Sequence, residues 1–147
     1  MRNNLTYSDV GLKLTELSES LELVSYQDQG GVWTNGYGHT GPDVFPAQHI
    51  TTDQAVEWLK QDVQTASNAV NNLVTVQLDQ NQFDALVDFV FNIGVKNFES
   101  STLLRMLNNG DYENAAVQFD RWDKVKGNVI AGLLKRRENE TKLFEET

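Results

Sequence analysis

Residues 19–40 read ESLELVSYQDQGGVWTNGYGHT, and this stretch limits most strongly which fold the chain can adopt. It mixes β-favouring residues, such as Tyr26 and the run Val32-Trp33-Thr34, with closely spaced glycines. That mixture is typical of short strands joined by tight turns. We therefore predict a small antiparallel hairpin or three-stranded sheet at this place in the chain.

A helix is predicted immediately before this stretch. Ser8 or Asp9 is available as its N-cap, and we expect it to end near Glu19. One face of the helix is marked by apolar residues at spacings of four, three and four, namely Val10, Leu14, Leu17 and Leu21. This face is expected to turn towards the core.

Beyond Pro46 the sequence predicts helices alone. Thr51-Thr52-Asp53-Gln54 fits a capping box that opens a long helix to about Leu73. Asp79-Gln80-Asn81-Gln82 repeats the signal before a strongly apolar helix, which Gly94 ends and which we expect to be buried on most sides. Shorter helices are predicted from Ser100 or Ser101 to Asn108, from Asp111 through Phe119, and from about Gly132 to Phe144.

The composition indicates one globular domain. A chain of 147 residues has the length of a single domain, and 39% hydrophobic with 22% charged residues is a globular balance. We predict a soluble protein, because no apolar run approaches the roughly 20 residues of a membrane helix and the N-terminus lacks a signal-peptide pattern. The chain has no cysteine, and its net charge of −9 argues against nucleic-acid binding.

Two acids and a hydroxyl in the opening stretch are candidates for catalysis. Hydrolysis of a glycosidic bond needs one carboxylic acid to protonate the leaving oxygen and a second carboxylate to activate water or attack the sugar. Glu19 and Asp28 lie nine residues apart, enough chain for the second acid to fold back opposite the first, and Thr34 follows on the next strand. Because most Asp and Glu are solvated surface residues, spacing alone does not select these three.

The same stretch resembles a family signature. Residues 19–28 and 31–40 are similar to the signature of the phage-type lysozymes of glycoside hydrolase family 24, with Glu, Asp and Thr at all three positions that the family uses. The resemblance covers almost the whole chain and continues in Gln80–Leu86, Phe91–Gly94, Leu103–Leu107 and Gly132–Glu138. It identifies the chain as a member of that family, natural or engineered.

The resemblance implies a fold. We expect an α+β, lysozyme-like, mainly helical domain over residues 1–147. A small N-terminal lobe, about residues 13–60, would carry the short antiparallel sheet. A connecting helix over about 52–73 would join it to a larger helical lobe, about 74–147 plus the N-terminal helix, with the groove between the lobes.

The resemblance also implies an activity. The chain would be a peptidoglycan hydrolase that cleaves β-1,4 bonds between N-acetylmuramic acid and N-acetylglucosamine with inversion. Glu19 would be the general acid, Asp28 the base that orients the water, and Thr34 a hydroxyl that helps fix that water. An inverting pair of carboxyl groups is separated by about 6.5–9.5 Å. Substrate-binding positions carried over from the family are Gly38, Thr40, Phe91, Asn92, Gln118 and Trp122, although Phe91 is equally well explained as core.

The expected partner is the glycan strand of peptidoglycan, bound by a monomer without cofactor or metal. The protein would stay in the host bacterial cytoplasm until release to the periplasm and wall. Because no signal peptide is predicted, access to the wall would need a holin or external permeabilisation.

Three local features carry further expectations. Ser20 and Asn35 depart from the family pattern, and we expect a stability cost if position 20 needs a positive φ or if the Asn35 amide is unsatisfied. His39 is interpreted as an ion-paired structural residue rather than a catalytic or metal-binding one. The run Lys135–Arg137, part of a basic cluster with Lys124 and Lys126, is interpreted as a solvated helix face, with contact to wall carboxylates as the lesser alternative.

Two other functions remain open at this point. A lytic transglycosylase cleaves the same bond with one acid and leaves a 1,6-anhydro product, so Asp28 and Thr34 argue against it. A catalytically weak saccharide-binding member of the fold would suit the acidic charge and the two departures, but Glu19, Asp28 and Thr34 are all present.

Overall fold

The computed structural model describes residues 3–146. Met1, Arg2 and Thr147 lie outside the described residues. The N-terminal segment for which the sequence predicts no signal peptide therefore lies partly outside them. Among residues 3–146, no helix is both long and apolar enough to cross a membrane. The elements in chain order are α1 (Asp9–Ser18), β1 (Glu22–Gln27), β2 (Trp33–Gly36), β3 (His39–Thr40), α2 (Thr52–Leu73), α3 (Gln80–Ile93), α4 (Val95–Glu99), α5 (Thr102–Asn108), α6 (Tyr112–Val117), a 3-10 helix (Gln118–Trp122), β4 (Lys124–Val125), β5 (Asn128–Val129) and α7 (Ala131–Glu145).

The glycine-rich stretch forms the predicted three-stranded antiparallel sheet. β2 lies between β1 and β3, with Thr34 opposite Tyr26 on one side and opposite Thr40 on the other. Gly36 and Gly38 adopt φ values of 65° and 81°, a left-handed conformation that costs glycine little. These two glycines let the chain reverse between β2 and β3.

Helices α2 and α3 begin at the predicted caps. The Thr51 side chain accepts a hydrogen bond from the backbone N–H of Gln54, and Asp79 with Gln82 forms a reciprocal capping box. Helix α3 is buried along most of its length and packs against α1, α2 and α7, as its apolar pattern predicts. The core includes the phenylalanines Phe83, Phe89, Phe98, Phe119 and Phe144.

Helix α1 forms where predicted, with Ser8 as N-cap and Glu19 as C-cap, but it turns another face to the core. Of the predicted apolar face, Leu14 packs against the core, but Val10 and Leu17 are 59% and 84% exposed, so the prediction is wrong for these two residues. The buried residues of α1 are Gly11, Leu12 and Thr15.

Small and polar residues explain how α1 docks. A side chain at Gly11 would collide with Tyr7 and would bring its Cβ to 2.9 Å from Cγ of Asp84 on α3. Thr15 donates a hydrogen bond of 2.8 Å to the Oδ1 atom of Asp88, also on α3. Helix α1 is therefore held by close backbone approach and hydrogen bonds, which an apolar pattern does not reveal.

The expectation of helices alone after Pro46 is also wrong, because β4 and β5 form a hairpin. Its turn is made by Lys126 and Gly127, with φ values of 50° and 83°. Two consecutive left-handed residues are what a type I′ hairpin turn requires. The short helix α4 was not predicted either.

His39 fastens the sheet to α2. Its Nδ1 atom lies 2.8 Å from Oδ2 of Asp62, its Nε2 atom lies 2.8 Å from Oδ1 of Asp43, and its ring stacks on Trp58 with centroids 4.3 Å apart. Burial disfavours the charged ring, but the hydrogen bonds to Asp62 and Asp43 outweigh it and raise the pKa of His39 above 6.5. The ion-paired structural role predicted for His39 is confirmed.

Replacing Gly11 by alanine should destabilise the fold by about 2–3 kcal/mol, because the new methyl group overpacks the contact between α1 and α3. Urea unfolding of Gly11→Ala measures this loss. The matched control is Gly132→Ala on α7, where an added Cβ meets no atom within 4 Å among the described residues. That control should be neutral or slightly stabilising, and equal losses in both variants would contradict the close docking of α1.

The stability that His39 contributes should depend on pH. Because its pKa is raised in the folded state, this contribution is fully present below pH 6.5 and is lost as the pH rises through the raised pKa. The free energy of unfolding of His39→Gln should therefore lie below that of the wild type at acidic pH and approach it at alkaline pH. The exposed His49, replaced as His49→Gln, is the control. A gap for His39→Gln that does not change with pH would show that the ring acts uncharged.

Candidate active site

Glu19 stands at the end of α1, where its backbone leaves the helix. Its N–H still donates to the Thr15 carbonyl, while its own φ and ψ of −101° and 138° are extended. The side chain is 26% exposed, and its Oε1 atom accepts a hydrogen bond of 2.8 Å from Nη1 of Arg136 on α7. The other oxygen, Oε2, faces Gly38, where an added Cβ would lie 4.0 Å from it. One oxygen of Glu19 is therefore held from inside, and the other faces the sheet.

Asp28 closes the turn between β1 and β2. Its backbone N–H donates to the Val32 carbonyl at 2.9 Å, and its Oδ1 atom accepts from the N–H groups of Gly30 at 2.8 Å and Val32 at 2.9 Å. Both of these bonds fall on Oδ1, and the residue is exposed. The turn therefore orients the carboxylate and leaves it open to solvent.

Thr34 is buried on the central strand, 4% exposed, and its hydroxyl donates to the Val32 carbonyl at 3.0 Å. Tyr26 lies directly opposite it in the sheet. Partial burial, followed by the negative charges of Glu22, Asp28 and Glu19, raises the pKa of Tyr26. Tyr26 thus pairs with Thr34 in the sheet and senses the charges of Asp28 and Glu19. The sequence pattern did not single it out as a site residue.

Arg136 anchors the site in the core. The side chain is 5% exposed and forms a bidentate pair with the fully buried Asp88, Nε to Oδ2 at 3.0 Å and Nη2 to Oδ1 at 2.9 Å. Burial disfavours the cation, but the contacts with Asp88 and then Glu19 raise the pKa of Arg136. The sequence analysis did not predict Asp88 and Arg136 as site residues. The signal that could have revealed Asp88 is an acidic residue in the middle of a strongly apolar helix.

The interpretation of Lys135–Arg137 as a solvated face is wrong for two of its three residues. Arg137 is fully buried beside Glu140, with Nη2 to Oε2 at 2.8 Å, and its guanidinium carbon lies 5.0 Å from the centre of the Phe89 ring. Buried cations are stable only when paired, and both arginines have carboxylate partners. Of this run, only Lys135 is exposed.

The predicted substrate-binding residues fall into separate groups. Gly38 lies beside Glu19, and Thr40 is exposed on β3. Phe91 is half-buried against the core, with the half-buried Asn92 next to it. The remaining two residues, Gln118 and Trp122, line a depression of about 560 Å³ beside the start of α5. The rest of its lining consists of Arg121, Ser100, Ser101 and Thr102.

The two departures from the family pattern carry no visible strain. The non-glycine residues with positive φ among residues 3–146 are Ala47 and Lys126, so Ser20 does not need the left-handed conformation. The buried Asn35 amide is satisfied, because its Oδ1 accepts from the Gly36 N–H at 2.9 Å and its Nδ2 donates to the Gln48 carbonyl at 3.4 Å. The conditions under which these residues were expected to cost stability are not met.

Comparison with known proteins identifies the family. The family model for phage lysozyme matches residues 16–140. An endolysin of Acyrthosiphon pisum secondary endosymbiont phage 1 is 43% identical over 142 residues, which cover 94% of this chain and 97% of the relative. An endolysin of Bacillus phage PZA is 45% identical over 139 residues, which cover 93% of this chain but 54% of that longer relative. The muramidase domain of SpmX from Asticaccaulis excentricus superposes with a TM-score of 0.92 at 38% identity, covering 98% of this chain and 100% of that domain.

The fold and these matches together define a lysozyme-type glycoside hydrolase. The predicted α+β, lysozyme-like fold is confirmed. The chain belongs to the phage lysozyme family.

Replacing Arg136 by methionine should cost about 3–5 kcal/mol of stability, because it leaves the buried carboxylate of Asp88 without its cation. Urea unfolding at neutral pH measures the loss. The same replacement at the exposed neighbour, Lys135→Met, should change stability by less than about 0.5 kcal/mol. Comparable effects of the two variants would contradict the anchoring role of Arg136.

Proposed function

We propose that this enzyme hydrolyses the β-1,4 bond between N-acetylmuramic acid and N-acetylglucosamine in bacterial peptidoglycan, with Glu19, Asp28 and Thr34 as its catalytic residues. Membership of the phage lysozyme family and the likeness to a muramidase domain support the reaction. The observation that carries the residue assignment is the placement of Glu19, which Arg136 holds by one oxygen while the other faces the sheet that bears Thr34 and leads into Asp28.

Glu19 acts as the general acid. Its proton sits on Oε2, because Oε1 accepts the hydrogen bond from Arg136 and a guanidinium has no lone pair to accept a hydrogen bond in return. Transfer of this proton to the glycosidic oxygen converts the leaving sugar into a neutral alcohol as the bond to the anomeric carbon breaks.

Asp28 acts as the general base on the opposite face of the sugar. Its Oδ1 is engaged by the turn, so Oδ2 is the oxygen that accepts a proton from water. The Thr34 hydroxyl donates to Val32, and its oxygen accepts a second hydrogen bond from that water. The water oxygen bonds to the anomeric carbon as the leaving group departs, and the configuration is inverted.

The saccharide chain would run along Gly38, Thr40, Asn92, Gln118 and Trp122, with Phe91 as a wall of the core beneath it. An aromatic face beside amide donors is the usual composition of a sugar site. We further propose the two-lobe division into about residues 13–60 and 74–147 joined by α2, with the lobes closing over the bound glycan.

The relatives support a proposal for the cellular setting. Because several of them are endolysins, we propose that the protein acts on the cell wall after release from the host cytoplasm, through a membrane opened by a holin or by external permeabilisation. It would work as a monomer and need no cofactor.

Glu19→Gln and Asp28→Asn should each reduce the clearing of permeabilised Gram-negative cells by about 100-fold or more, because each removes one proton-transfer group. Both replacements keep an oxygen that can accept the structural hydrogen bonds from Arg136 or from the turn, so the fold should survive. The control is Glu22→Gln, an exposed acid on the neighbouring strand, which should clear cells at the wild-type rate. Clearing by Glu19→Gln at the rate of Glu22→Gln would refute the assignment of the acid.

The products of wild-type digestion test the mechanism separately. Hydrolysis with inversion releases a reducing-end muramic acid that is initially the α anomer, which proton NMR of a fresh digest detects. A β anomer would indicate retention, and a 1,6-anhydro end would identify a lytic transglycosylase.

A further inference from the structure

The guanidinium of Arg136 stands between two carboxylates and divides its hydrogen bonds unequally. Asp88 takes two of them, at 3.0 and 2.9 Å, and Glu19 takes one, at 2.8 Å. Asp88 lies behind the guanidinium in the core, whereas Glu19 lies in front of it and is partly exposed. The anion behind the guanidinium therefore offsets its positive charge as felt by Glu19.

This arrangement resolves a conflict between holding Glu19 in position and keeping it protonated. A cation in contact with a carboxylic acid favours the ionised form of the acid and makes it give up its proton at lower pH. A general acid must still hold its proton when the substrate binds. An uncompensated Arg136 would therefore position Glu19 well and at the same time deprive it of the proton that it has to donate.

We propose that Asp88 is a positioning residue for the catalytic acid: by neutralising Arg136 from behind, it lets the guanidinium fix the orientation of Glu19 without stripping its proton. The proposal rests on the role of Glu19 proposed above. It assigns a part in the reaction to a residue that touches no substrate.

Asp88 is suited to be a permanent anion. It is fully buried, and burial by itself would raise its pKa. Hydrogen bonds from Glu140, from Arg136 and from Thr15 more than compensate, so the pKa of Asp88 is lowered. Burial and then the neighbouring Asp88 raise the pKa of Glu140, while Arg137 opposes that shift.

The other charged and titratable groups around the pair lie on both of its sides. Tyr7 and Asp84 stand further along the interface between α1 and α3, and the Tyr7 hydroxyl donates to the Gly11 carbonyl. On the outer side, Glu22 and Asp28 lie near Tyr26 together with Glu19. These outer acids are the same in wild type and in the Asp88 variants, so they form a constant background for the comparison.

The chain offers a matched control in Asp84. It is also fully buried, one turn earlier on α3, but it bonds to Ser8 and, at 2.8 Å, to the amide of Gln80. Asp84→Asn therefore removes a buried carboxylate and costs stability without changing what Arg136 contacts. A merely structural role of Asp88 would make the two variants behave alike.

The test is the pH profile of kcat/KM for wild type, Asp88→Asn and Asp84→Asn. In Asp88→Asn the guanidinium keeps Glu140, whose Oε2 atom lies 3.9 Å from Nε of Arg136, but loses both short contacts with Asp88. More of its positive charge then acts on Glu19, so the alkaline limb of the profile should move to lower pH by about one unit. In Asp84→Asn this limb should stay in place while the melting temperature falls. An unmoved limb in Asp88→Asn, or equal movement in both variants, would overturn the proposal.

A second variant and carboxyl NMR complete the test. If Asp88→Asn does not fold, Asp88→Ser removes the same charge and leaves room for water against Arg136. In the wild type, the ¹³C-labelled carboxylate of Asp88 should stay ionised throughout the active pH range, and its protonation there would refute the proposal. The Glu19 resonance, followed in the variants, reports the proton shift without activity, so failure of the proposed function is distinguishable from failure of this inference.

Discussion

The bidentate pair between Arg136 and Asp88 is the interaction on which the arrangement of the site depends. It joins α7 to α3 inside the core, and both partners reach further: Asp88 accepts from Thr15 on α1, and Arg136 donates to Glu19 at the end of α1. Buried ion pairs cost much of their own energy in desolvation, but loss of one partner leaves an uncompensated charge. The geometry of three helices is thereby tied to the position of one carboxyl group.

The two acids are held by different means, because they belong to different parts of the fold. Glu19 depends on the polar contacts of α1, α3 and α7, whereas Asp28 depends on the turn between β1 and β2, where Oδ1 accepts from Gly30 and Val32. Hydrogen bonds fix direction more closely than apolar contacts do. His39 on β3 pairs with Asp62 on α2 and so fastens the sheet to the helices. This contact fixes the strands that lead into Asp28 relative to the helices that hold Glu19.

Local rules predicted most of the elements, and non-local contacts explain the errors. The caps at Thr51 and Asp79 and the left-handed glycines act within a few residues, so the sequence displays them directly. The face that α1 buries depends on Asp88, which lies 73 residues from Thr15, and the burial of Arg136 depends on the same acid. Charge runs and apolar spacing carry no information about such distant partners. For Glu19, Asp28 and Thr34, family resemblance selected what spacing alone did not.

The position of the proposed catalytic acid against its substrate can be observed in a crystal structure of the Glu19→Gln variant with a bound peptidoglycan fragment that spans the scissile bond. We expect the glycosidic oxygen to lie within hydrogen-bond distance of the residue 19 side chain, which Arg136 still holds from behind. We also expect a water between Asp28 and Thr34 on the opposite face of the sugar. A glycan bound with its scissile bond away from residue 19, or a side chain detached from Arg136, would contradict the proposed site.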